Sequence, residues 1–261
     1  MDKLIVKPPK KSEVLETKVE ELSTTVRKLM IGVIILFFAV AAFGAYVVQD
    51  YTKTAKQEKE KAATEAAAKT QQDPFQLVAK YPQVTNKDHI RGNRKAQYLL
   101  VEYSDLECPF CKRFHPVAKQ FLEDMKGTVA WVYRHFPLDS IHSQARDESI
   151  ASECVAKIGG EDAFWKFIDT IYEVTPANNG LDMSKLSVYA EESGVSVTDF
   201  NSCYDNKETK SIVDEQSKSG EALNVTGTPG NFLINTKTKK AVFVPGAYPV
   251  DQLKVAFQKI K

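Results

Sequence analysis

Apolar and polar residues change their spacing several times along the chain, and each change marks a different kind of element. In residues 1–28, Leu15, Val19, Leu22, Val26 and Leu29 stand alternately four and three apart among polar neighbours, which predicts a helix with one apolar seam. That seam covers about two heptads, fewer than the three to four that make a coiled coil, so the stretch reads as an amphipathic juxtamembrane helix. From Leu29 to Val48 no residue is charged, and twenty residues at about 1.5 Å each match the roughly 30 Å hydrocarbon core of a bilayer. A transmembrane helix is expected there; a cleaved signal peptide would have a shorter apolar core nearer the N-terminus and a recognisable cleavage site. Lys53 to Gln72, built from Lys, Glu, Ala, Thr and Gln, predicts a helical stalk with no face to bury.

From Asp73-Pro74 onward the spacing is that of a folded domain. Tyr98–Tyr103 and Val129–Tyr133 have strand composition, and Lys112-Arg113-Phe114-His115 opens a helical pattern that Pro116 is expected to kink. Ala151, Cys154, Val155 and Ile158 share one helical face, and Phe164, Ile168 and Ile171 the next. Leu181–Ser193 and Asp199–Leu223 predict two more helices, Asn231–Asn235 and Ala241–Val244 a β-hairpin, and Val250, Leu253, Phe257 and Ile260 a last helix. The expected organisation is a tail at 1–28, a membrane span at 29–48, a charged stalk at 49–72, and an α/β domain at 73–261. That domain carries a helical insert over about 141–223.

Charge narrows the function classes. Lys+Arg 35 against Asp+Glu 34 leaves a net charge of +1, so there is no overall basic field to hold nucleic acid. Basic residues flank the apolar run on both sides; Lys3 and Lys7 tip the balance toward a cytoplasmic N-terminus with the folded domain outside. The four cysteines suit an oxidising compartment but are too few to build a scaffold.

The chemistry centres on Cys108-Pro109-Phe110-Cys111, two thiols spaced by two residues where strand gives way to helix. Free N–H groups and the macrodipole at a helix start favour an anion, so the Cys108 thiolate should be stabilised. Pro109 suits the first turn, where its missing N–H has no intrahelical partner to lose. Glu102, flanked by Leu100 and Val101 in a strand, should be desolvated, which raises its pKa and lets it relay the Cys111 proton. His89, His115, His135 and His142 are scattered and no second cysteine pair stands at ligand spacing, so no metal and no cofactor is expected.

The order strand, Cys-x-x-Cys helix, strand, helical block, hairpin, helix resembles a thioredoxin fold with inserted helices, and more narrowly the DsbA family. The resemblance rests on Asp88–Gly92, Val101–Asp105, Cys108–Cys111, Arg134–Leu138 and Val225–Pro229. It implies a thiol:disulfide oxidoreductase in which Cys108 attacks and Cys111 resolves. It also implies a cis-proline at Thr228-Pro229 facing the dithiol and, with Pro109 and Phe110, contacting an extended client. Similar pairs in this subgroup imply a structural disulfide between Cys154 and Cys203, with two buried free thiols as the alternative. Reduced secreted proteins as clients, a DsbB- or VKOR-like membrane reoxidant and the lipid bilayer are the partners it implies. A reductase or isomerase would use the same residues, and a tethered chaperone module with a static bridge would use none of them catalytically.

Overall fold

The computed structural model describes residues 11–70 and 74–261. Residues 1–10 and 71–73, including Lys3, Lys7 and the Asp73 at the expected domain boundary, lie outside the described residues, as do the side chains of Leu15 and Val19. The chain forms two compact units, Met1–Gln72 and Asp73–Lys261. Among the described residues the first contains one helix, α1 (Lys11–Thr70), whose stretch Leu22–Lys59 is long and apolar enough to cross a membrane.

In the second unit β1 (Gln76–Leu77), β2 (His89–Arg91), β3 (Tyr98–Ser104), β4 (Val129–His135), β5 (Gly230–Asn235) and β6 (Ala241–Pro245) make one sheet in the order β1-β6-β5-β3-β4-β2. Only β3 and β4 run parallel, with α2 (Pro109–Asp124) as the crossover between them. β5 and β6 form the hairpin, and β5 pairs antiparallel with β3. The edge strands β1 and β2 are two and three residues long, too short to produce a periodicity, and sequence reading finds neither as a strand.

Between β4 and β5 stand α3 (Ala145–Val174), a 3-10 turn at Met183–Lys185, α4 (Leu186–Glu192), α5 (Val197–Asp205) and α6 (Lys210–Ala222). α3 bends at Gly160, whose φ of 77° lies in the left-handed region that glycine adopts without cost. The stretch Asp199–Leu223, expected as one helix, is two: the chain turns at 206–209, with Lys207 left-handed at φ 50°. α7 (Val250–Gln258) closes the domain.

The sheet is buried on both faces. Leu100, Trp131, Tyr133, Leu233 and Val242 face α2, α3 and α7 through Phe114, Phe121, Phe164, Ile168 and Phe257. Val101, Ala130, Val132, Phe232 and Ile234 form the opposite face with Phe136 and Val225. α6 lies close against that second face at Gly220, where a Cβ would sit 2.6 Å from the Phe136 ring. Cys154 of α3 and Cys203 of α5 are disulfide-bonded, with Cα atoms 5.8 Å apart.

Candidate active site

β3 delivers the chain to the site, and Asp105 fixes the turn that follows. Its Oδ1 accepts from the Glu107 N–H at 2.8 Å, its carbonyl from the Cys108 N–H at 3.1 Å, and its Oδ2 from the Leu138 N–H at 2.7 Å. Cys108 is thereby set as the N-cap of α2, with Pro109 and Phe110 exposed on the first turn and Cys111 fully buried one turn in. α2 continues through Pro116, which lacks the N–H that would bond the Lys112 carbonyl.

Position separates the two thiols chemically. The Cys111 thiol donates to the Cys108 sulfur; despite burial, that contact, together with Thr228 and the N–H groups of Cys111 and Phe110, brings Cys108 down to about 6. Cys111 moves the other way, raised by burial, by the Cys108 charge and by Glu102. Facing them, Thr228-Pro229 is a cis peptide bond, and the Thr228 carbonyl accepts from the Cys108 thiol at 3.4 Å. The Pro229 carbonyl accepts from the Gly246 N–H at 2.7 Å, which ties this loop to the end of β6.

Glu102 is buried beneath the dithiol at 1 % exposure. Burial raises it to about 7, against the hydrogen bonds it accepts from Ser104 Oγ at 2.6 Å and Trp131 Nε1 at 2.9 Å. Ser104 Oγ is 2.8 Å from the Tyr172 hydroxyl, which is 3.1 Å from that of Tyr133. A carboxyl titrating near neutrality thus sits in a chain of hydroxyls under two thiols, a setting for moving one proton.

A family model described as Thioredoxin matches residues 84–242. The chain belongs to the thioredoxin family. Its fold is similar to the DsbA2 crystal structure from Pseudomonas aeruginosa, at 27% identity and TM-score 0.58, covering 68% of this chain and 96% of that one. It is also similar to oxidised BdbD from Bacillus subtilis (22%, TM-score 0.60, 70% and 97% covered) and to α-DsbA1 from Wolbachia pipientis (23%, TM-score 0.56, 68% and 92% covered). Within the thioredoxin family this is the DsbA-like thiol:disulfide oxidoreductase type, an α/β fold with inserted helices. Among curated proteins it is similar to the Na(+)/H(+) antiporter NhaA 1 of Mycolicibacterium vanbaalenii, 30% identical over 64% of this chain and 26% of that protein. The chain spans about a quarter of the length of that relative.

Around this thioredoxin-family dithiol stand residues that sequence reading missed. Ser104, Trp131, Tyr133 and Tyr172 complete the Glu102 network, and strand alternation is the signal for three of them. The parallel register sets Glu102 beside Tyr133 and Leu100 beside Trp131, so all share one face with Ser104. Glu107 and Glu148 form a second buried pair. Burial and then Glu107 push Glu148 up to about 10, so at neutral pH Glu148 keeps its proton. The Glu107 Oε2 accepts from the N–H groups of Asn179 and Gly180, pinning the loop after α3 to the residue before Cys108.

The four histidines are all buried, and none joins the dithiol. His89 stacks on Phe164 at 3.6 Å between Glu153 and Glu161; though burial pulls it down, the two carboxylates raise it to about 9. His135 shares Glu153 at 3.3 Å, His115 pairs with Asp169 at 2.6 Å, and His142 pairs with Asp105 at 3.0 Å.

Proposed function

We propose that the chain is a membrane-tethered, extracytoplasmic disulfide donor, with residues 1–28 in the cytoplasm, Leu29–Val48 crossing the bilayer, 49–72 as the stalk and 73–261 outside. The observation that carries the oxidising direction is the split between the thiols: Cys108 down to about 6 at a helix N-terminus, Cys111 raised and buried. A stabilised Cys108 thiolate favours the reduced dithiol, and a pair that prefers to be reduced oxidises others.

In the oxidised protein a client thiolate attacks the Cys108 sulfur and the Cys108–Cys111 bond breaks. The electron pair goes to Cys111, a poor leaving group unless its sulfur is protonated, and Glu102 supplies that proton through the buried site. A second client thiolate attacks the client sulfur of the mixed disulfide, the client disulfide forms, and Cys108 leaves as its stable thiolate. The dithiol now holds the two electrons, and a membrane oxidant of the DsbB or VKOR kind takes them back. The Thr228 backbone beside Pro229 pairs with the extended client, while exposed Pro109 and Phe110 contact it.

The equilibrium potential of the Cys108–Cys111 couple against glutathione tests this. A value well above the roughly −200 mV of glutaredoxins, toward the −120 mV of a strong oxidant, is expected. A value near −270 mV, as in thioredoxin, would overturn the donor role in favour of a reductase.

A further inference from the structure

The apolar seam that opens at Leu15 does not end where the membrane span begins. At the same alternating intervals of four and three it runs Leu15, Val19, Leu22, Val26, Leu29, Val33, Leu36, Val40, Phe43 and Val47. In heptad terms every a position is valine, and every d position is leucine until Phe43. Between Leu15 and Leu29 these are the only apolar residues, so in that part the seam stands alone on a polar helix. Beyond Leu29 every neighbour is apolar as well and the contrast vanishes, but the valine and leucine register continues unbroken.

α1 is one helix across this whole length, and Leu22, Val26, Leu29, Val33, Leu36, Val40, Phe43 and Val47 are all exposed on it. Insertion into a bilayer calls for apolar residues in any arrangement; it does not call for a seven-residue repeat. A straight helix with such a repeat drifts about 20° per heptad, so the stripe stays against a partner only if two helices supercoil. β-Branched residues at a with leucine at d select two parallel strands. The partner must therefore carry the same repeat, in the same direction and at the same depth. A second copy inserted in the same orientation meets all three conditions. At the aqueous end Lys11 falls at g and Glu16 at the following e, the spacing that pairs opposite charges between parallel copies.

We propose that α1 forms a parallel two-stranded coiled coil with a second copy of this chain along the seam from Leu15 to Val47. The water-side heptads bury leucine and valine, and the membrane heptads pack in the left-handed geometry common among transmembrane helices. Two dithiol domains then share one anchor. The parallel direction rests on the single-pass topology proposed above; the seam itself holds whichever way the disulfide traffic runs.

The test uses the full chain in membranes, with Cys108→Ser and Cys111→Ser removing the reactive thiols. Single cysteines are placed on the seam by Leu22→Cys, Val26→Cys, Leu29→Cys and Val33→Cys, and on the outer face by Thr24→Cys, Ile31→Cys and Phe38→Cys. Mild oxidation should link the seam variants to a second copy several-fold more than the outer ones. The unmodified full chain should sediment in detergent as two chains, and Leu22→Glu with Val26→Glu should convert it to one while Thr24→Glu does not. Equal linking at both sets, a single-chain or three-chain mass, a dimer that survives the paired glutamates, or linkage to a different protein would each overturn the proposal.

Discussion

Replacing Glu102 with glutamine tests the buried carboxyl more sharply than removing a thiol, because it should stabilise the protein while impairing it. Glu102 is raised from 4.5 to about 7, first by burial. Between those values the folded state holds a proton that the unfolded chain has lost, so stability falls as pH rises through the window. At 1.36 kcal/mol per pKa unit, ionising Glu102 in place costs the folded state about 3 kcal/mol above pH 8 and nothing below pH 4. Glutamine carries no such cost, and it can still accept from Trp131 Nε1 while its amide donates to Ser104 Oγ, which turns to Tyr172. Urea unfolding of reduced Glu102→Gln, followed by the fluorescence of Trp131 and Trp165, should show a gain of about 3 kcal/mol at pH 8.5 that vanishes near pH 4. Disulfide transfer to a reduced unfolded substrate should slow in the same variant, since no group remains to deliver the Cys111 proton. A gain independent of pH, or a loss at every pH, would refute the reading of Glu102 as a buried acid titrating near neutrality.

Cys108→Ser should abolish disulfide transfer, whereas Cys111→Ser should accumulate client complexes linked through Cys108, visible on non-reducing gels; transfer at the wild-type rate by Cys108→Ser would move the chemistry elsewhere. His89, raised from 6.5 to about 9, contributes stability that is fully present below pH 6.5 and lost as pH rises through 9. Between pH 6 and pH 10 His89→Gln should therefore lose about 3 kcal/mol less than wild type does, compared by urea midpoints. Cys154→Ser with Cys203→Ser opens a loop closed across 49 positions and should cost about 4 kcal/mol, read as a lower midpoint with an unchanged Cys108–Cys111 potential.

Local pattern was enough for the elements whose side chains obey one rule for many residues. β3, β4 and the hairpin strands are short runs rich in β-branched, aromatic and aliphatic residues, α2 and α7 each bury one stripe, and α1 from Leu29 to Val48 is apolar throughout. Where a tertiary contact overrides the local rule, the pattern misleads. α5 and α6 share helical spacing, yet the chain turns between them, and Thr209 at that turn bonds the Ile150 carbonyl of α3 at 3.0 Å. β1 and β2 exist because β6 and β4 offer them edges, and the buried Asp88–Arg134 ion pair at 2.7 Å holds the segment leading into β2. Two or three residues carry no period of their own.

The site divides along the same line. Cys108, Cys111 and Glu102 stand close together in the chain, so spacing alone brings them onto one strand, turn and helix. Tyr172 reaches Ser104 from 68 positions away, and Glu148 faces Glu107 from another helix; neither approach leaves a mark at the level of neighbouring residues. What the sequence does carry is the cost of such placements. A glutamate inside the apolar stripe of a helix, or two polar residues on the buried face of a strand, violates the binary pattern and requires a partner. Glu102, Ser104 and Glu148 all break that pattern: Glu102 is hydrogen-bonded to Trp131, Ser104 to Tyr172, and Glu148 lies against Glu107.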